Sequence, residues 1–138
     1  MEKIYSKIEP TKLLHLINRL NEIDGRTDIA PVEEFLQLAT LKLKKGQTFR
    51  PHKHITLVKE TNIAQESWIV IKGSVKCVFY DLDDSIIAEP ILYPGDCSMT
   101  FRGGHNYIIL EEDTIVYEYK TGPYLGQELD KVFLNKNH

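Results

Sequence analysis

Cysteine is scarce in this chain of 138 residues: only Cys77 and Cys97 are present. They stand too far apart for a CxxC redox or zinc motif, and their apolar surroundings predict two buried thiols rather than a disulfide. No apolar run approaches the roughly 20 residues that cross a bilayer. The start, Met1-Glu-Lys-Ile-Tyr-Ser-Lys, lacks the apolar core of a signal peptide. Both absences lead to the expectation of a cytoplasmic protein with no membrane partner. Basic blocks are missing as well. With a net charge of −3 and no Lys/Arg stripe, the chain is not expected to bind nucleic acid. There is no internal repeat and no low-complexity tract.

What remains is an ordinary globular composition, 42% apolar and 27% charged, in a length that suits one domain with a real core. Residues 11–23 carry Leu13, Leu14, Ile17, Leu20 and Ile23 at helical spacing, with Pro10-Thr11 as a start and Asp24-Gly25 as a stop. An N-terminal α-helix is expected there. His15 falls off most of its apolar stripe and reads as a surface histidine.

Beyond Glu34 the pattern changes to period two. Segments 36–41, 48–57, 66–71, 74–80, 86–92, 98–101, 106–110 and 114–120 are rich in Val, Ile, Tyr, Phe and Thr. Turn signals separate them, among them Lys72-Gly73, Tyr93-Pro-Gly-Asp96 and Arg102-Gly-Gly104. Asp81, Asp83 and Asp84 lack the glycine and distal glutamate of a calcium loop and read as a hairpin turn. The pattern predicts an antiparallel sandwich or barrel: a helical extension over 1–30, then a β-barrel over 31–138 whose last stretch, from Gly122 onward, wraps the outside.

Chemistry concentrates in the histidines. His52 and His54, one residue apart on an expected strand, would project from one face, and two adjacent imidazoles are half a metal site. Arg50 shares their parity, so it would enter the same cavity as a clamp for a carboxylate or phosphate, or pair with a barrel carboxylate such as Glu118. Tyr107 shares parity with His105, and Trp68 with Glu66. Each aromatic either stacks on a sugar ring or fills the core.

The order Gly46, five residues, His52-Lys-His54, then Glu66, six residues, Gly73 resembles the first motif of the cupin superfamily. The gap between the second histidine and the glutamate, 55–65, is longer than the family's. Pro94-Gly95-Asp96 followed by Phe101-Arg-Gly-Gly-His105 resembles the second motif in part, with His105 one residue early and the closing Asn absent. The resemblance implies an all-β cupin fold, a double-stranded β-helix or jelly-roll barrel. It also implies a metal site of His52, His54, Glu66 and His105. Glu60 competes for the carboxylate role, but Glu66 has the family spacing to Gly73 and opens a strand. Three imidazoles and a carboxylate suit a divalent first-row ion, Fe, Mn, Ni or Zn, with positions left open for substrate or water.

Within the superfamily, the chain is similar to the WbuC-like cupin metalloproteins. Phe49-Arg-Pro-His52-Lys-His54, Trp68-Ile-Val-Ile-Lys-Gly73 and the late Gly122-Pro-Tyr124 with Asp130-Lys-Val-Phe133 carry that similarity. It implies a setting in cell-surface polysaccharide synthesis and a sugar or sugar-nucleotide substrate. Glu66 would take the catalytic proton-transfer role in an isomerase- or epimerase-like reaction. An Fe(II) dioxygenase and a non-catalytic binding module for a sugar or anion use the same ligands and stand as alternatives. A homodimer is expected, joined through an edge strand near 36–42.

Overall fold

The alternating segments from residue 66 to 120 form ladders close to where the pattern predicts them. In the computed structural model, which describes residues 1–134, the strands in chain order are β1 (Glu2–Tyr5), β2 (Leu13–Asn18), β3 (Thr27–Asp28), β4 (Ala39–Thr40), β5 (Glu66–Lys72) and β6 (Val75–Tyr80). They continue with β7 (Ile86–Ala88), β8 (Ile91–Leu92), β9 (Cys97–Thr100), β10 (His105–Ile109) and β11 (Ile115–Lys120), and a single helical turn, α1 (Gln127–Asp130), follows. The fold is all-β. One sheet runs β1-β2-β9-β5-β11, and a second runs β10-β6-β7 with β8 also on β6. Every pairing is antiparallel. Residues 135–138, the end of the expected C-terminal wrap, lie outside the described residues. Among the described ones, no helix is long and apolar enough to cross a membrane.

The N-terminal α-helix expected over residues 11–23 is absent; β2 and a 3-10 turn, Leu20–Glu22, occupy that stretch. The segment expected as a helical extension, 1–30, instead supplies β1, β2 and β3. Sheet membership explains the misreading. β2 lies between β1 and β9 and is buried along its whole length. A strand covered on both faces loses the apolar–polar alternation that marks a half-exposed one.

The inner core packs Ile4, Ile17 and Val70 of the first sheet against Val75, Cys77 and Phe79 of the second. A smaller cluster covers the outer face of the five-stranded sheet, where Ile29, Ala30, Leu36 and Leu38 lie over Leu13, Leu16, Met99 and Phe101. Both cysteines are buried free thiols. Burial pushes the Cys77 thiol up to about 12 and that of Cys97 up to about 11, so both stay protonated and unreactive.

Register sets out the inner face in rows. Lys120, Glu66, Thr100 and His15 stand level across four strands, and Glu118, Trp68, Ser98 and Ile17 form the next row. His105 and Tyr107 enter from the opposing sheet, paired with Phe79 and Cys77. One end of the sandwich is therefore polar between its sheets while the middle is apolar.

Gly73 turns the chain from β5 into β6 with φ +78°, and a Cβ there would run into the Thr114 side chain and stand 3.1 Å from its Cα. Gly73→Ala combines left-handed backbone strain with overpacking, and we expect a loss of about 3 kcal/mol. Urea unfolding of the variant beside wild type measures it.

Candidate functional site

The strongest convergence of reactive side chains lies at the polar end of the sandwich. Glu66 opens β5 and His105 opens β10. Their side chains meet across the two sheets, with His105 Nε2 3.2 Å from Glu66 Oε1. An ionised carboxylate only accepts, so Nε2 carries the proton. Nδ1 has no protein hydrogen-bond partner among the described residues. Burial alone would raise the Glu66 carboxyl, but the hydrogen bond and charge of His105, with Lys131 and Lys120 beyond it, outweigh burial and hold the carboxyl below its usual range.

The turn before His105 fixes its position. Gly103 has φ +77°, and a Cβ there would stand 2.5 Å from the Tyr80 carbonyl oxygen and 3.3 Å from His15 Nε2. Only glycine lets the turn press so closely on β6. The Tyr80 N–H then donates to the Gly104 carbonyl at 2.8 Å. Gly104 also faces the Leu134 side chain beside that of Tyr80, so the C-terminal stretch reaches this turn.

Behind the pair lies an aromatic wall. Trp68 and Tyr107 stack with ring centroids 3.8 Å apart, and His105 sits 5.4 Å from the Tyr107 ring. The Tyr107 hydroxyl is 3.2 Å from Ser98 Oγ, and burial pushes its phenol up. The two rings occupy each other's faces and pack on the inner core. At the mouth, Lys120 Nζ lies 2.8 Å from Glu118 Oε1 and 3.8 Å from the centre of the Tyr124 ring.

The remaining expected residues lie elsewhere. Residues 41–65 contain no strand, so the parity assigned to 48–57 has no sheet to act in. His52 and His54 are exposed there. Their rings are 5.5 Å apart and nearly perpendicular, and His52 Nδ1 bonds the Arg50 carbonyl at 3.0 Å. Arg50 is exposed on the same segment. Glu60 lines a separate cleft of about 430 Å³ that also includes Glu34, Gln65 and Arg102. Inside that cleft Arg102 holds Glu34 with bonds of 2.6 and 3.2 Å, and Gln65 donates to Glu34 at 2.8 Å.

The four donors expected for a metal therefore stand as two pairs, Glu66 with His105 and His52 with His54. Among the described residues no group of three or more His, Cys, Asp or Glu side chains is placed to hold an ion. The set does not fit a metal in this arrangement.

Sequence reasoning missed His15. It is fully buried, stacked on Phe79 at 4.3 Å, with Nε2 3.1 Å from the Tyr80 carbonyl and Nδ1 3.0 Å from Thr100 Oγ1. The carbonyl can only accept, so Nε2 bears the proton and Thr100 donates to Nδ1. Lys120 was missed too. The signal was present in Glu118 and Lys120, two apart on a strand and level with Trp68 and Glu66. No protein-family model, curated protein or solved structure matches this chain.

Proposed function

We propose that the chain is a cupin-like enzyme that moves a proton on a small polar substrate, a sugar or sugar nucleotide. His105 would be the acid–base and Glu66 the residue that orients and charges it. The carrying observation is the Glu66–His105 contact at the polar end of the sandwich. Glu66 stays ionised, accepts from Nε2–H, and stabilises the imidazolium that forms when Nδ1 takes a proton. A carboxylate paired with an imidazole in this way supports proton abstraction beside a carbonyl, the step shared by isomerases and epimerases. The substrate class and the polysaccharide setting come from the WbuC-like resemblance of the chain, and Lys120 at the mouth suits an anionic group on such a substrate.

The test is turnover of a panel of nucleoside-diphosphate sugars, followed by mass spectrometry and NMR. Runs with and without added Fe(II), Mn(II), Ni(II) or Zn(II) are compared, and oxygen uptake is recorded in parallel. Isomerised or epimerised product is expected. Oxygen uptake confined to the iron sample would assign a dioxygenase instead. Thermal stabilisation by a sugar with no product would assign a binding module.

A further inference from the structure

The cleft of about 430 Å³ that contains Arg102 is separate from the Glu66–His105 pair. Gln65 precedes Glu66 in the chain but faces the other way. Glu66 meets His105 between the sheets, whereas the Gln65 side chain bonds Leu36 and Glu34. The cleft therefore lies on the outer side of the five-stranded sheet, where Leu36 packs. Its polar residues are dry for their type: Glu34 and Gln65 stand only 8% and 2% exposed. Taking such groups out of water is costly unless their polar atoms find partners. Here they do. Gln65 accepts from the Leu36 N–H and donates to Glu34, and Glu34 accepts from Arg102 through both oxygens. The network ends on Arg102, whose side chain is 33% exposed.

That arrangement leaves the arginine fixed but only partly used. A guanidinium carries five N–H donors in a rigid fork. The bonds to Glu34 and to the Leu13 carbonyl occupy Nη1 twice and Nη2 once. Nε–H and the second Nη2–H have no protein partner among the described residues, and they lie side by side along one edge of the guanidinium. Such a pair matches the two oxygens of a carboxylate. Because Glu34 already holds the guanidinium in place, little freedom is lost when a ligand docks on it, which favours affinity.

Both signs of charge share the cleft. Glu33 and Glu60 line it, are exposed, and have no ion-pair partner among the described residues. Phe35 and Ile63, 36% and 40% exposed, add an apolar wall. A simple anion would meet two carboxylates as well as the arginine and gain little. A molecule with a carboxylate, an ammonium and a short apolar group would find a partner for each part. We propose that this cleft is a binding site for a free α-amino acid with an apolar side chain. The carboxylate takes the open edge of Arg102, the ammonium lies toward Glu33 and Glu60, and the side chain packs on Phe35 and Ile63. The volume falls in the range of small-molecule sites, roughly 300–1,000 Å³. The site does not depend on the proton-transfer role of Glu66 and His105.

Titration of the full chain with leucine, methionine and phenylalanine, followed by calorimetry and backbone amide NMR, tests the site. Saturable binding of at least one of them at millimolar concentration or below is expected, with shifts centred on residues 33–37 and 59–63. The N-acetyl form of that amino acid keeps the carboxylate and lacks the ammonium; its amide does the reverse. Each should bind about 10-fold more weakly, because each leaves a charged group of the cleft without its partner. Arg102→Lys retains a cation for Glu34 but not the fork, and should weaken the amino acid to a similar extent. Glu33→Gln combined with Glu60→Gln alters only exposed side chains, so the fold is kept. That double variant should weaken the amino acid while leaving its N-acetyl form no weaker. Absence of binding by all of the amino acids would overturn the proposal. Shifts confined to 105–109 would overturn it by placing the ligand at the other site, and equal affinity for the N-acetyl form would overturn it by leaving the ammonium no role.

Discussion

Replacing His105 with asparagine is expected to lower turnover by about 10²–10⁴-fold, the usual contribution of a positioned acid–base group. The fold should barely notice. The His105 side chain is a quarter exposed, and a partly solvated ion pair is worth no more than about 1 kcal/mol. Glu66→Gln separates the two roles within the pair. The amide oxygen can still accept from Nε2–H, so the ring keeps its orientation, but the charge that favours the imidazolium is gone. We expect a fall in kcat with KM nearly unchanged. A purely structural pair would give the opposite pattern, lowered stability with kcat intact in the protein that remains folded. Kinetics and urea unfolding of the two variants in parallel decide between these outcomes.

The second large effect is on stability. His15 sits in the core with its imidazole lowered from 6.5 to about 4, chiefly by burial and against the hydrogen bond from its ring to the Tyr80 carbonyl. Between those two values the unfolded chain binds a proton that the native protein refuses. The native state therefore loses stability as pH falls from about 6.5, and the loss reaches about 3 kcal/mol near pH 4. Lowered carboxyls such as Asp81 and Asp96 also cost stability on acidification, but they do so further down, as pH falls below the unfolded carboxylate value. His15→Leu removes the upper part of the slope alone. Urea unfolding at steps from pH 7 to pH 4.5 should show wild type losing stability steeply and the variant staying nearly level down to about pH 5. Parallel slopes would mean that His15 does not control the acid response.

The fold was legible in the sequence wherever one face of a strand met the core and the other met solvent. Trp68, Val70 and Val116 alternate with outward neighbours, and turns such as Lys72-Gly73 mark the ends of their strands, so the β5–β6 hairpin and β11 follow from the pattern. β2 defeated the same reasoning because neighbouring strands and residues 29–38 leave none of its side chains in water. Leu13, Leu14 and Ile17 then mimic a helical stripe by coincidence. A strand is also a relation between two segments, which local composition does not encode. Residues 48–57 have the residue types of a strand but no ladder, and with it went the parity assigned to Arg50, His52 and His54.

The site divided along the same line. Glu66 and His105 open strands whose ladders formed, and their separation in sequence closes to a direct contact. Trp68 and Tyr107 kept their expected parity, but parity alone could not say that they would stack on each other. His15 was beyond reach because its burial depends on Phe79 and Thr100, contributed by distant strands.

Solvent exchange at substrate carbon tests the acid–base assignment most directly. The protein is incubated in deuterium oxide with a keto-sugar nucleotide, and the sugar is read by NMR. Deuterium should appear at one carbon beside the carbonyl with wild-type protein and fall by at least about 100-fold with His105→Asn. Incorporation at an equal rate with both proteins, or with neither, would contradict the assignment of His105 and Glu66 as the proton-transfer pair.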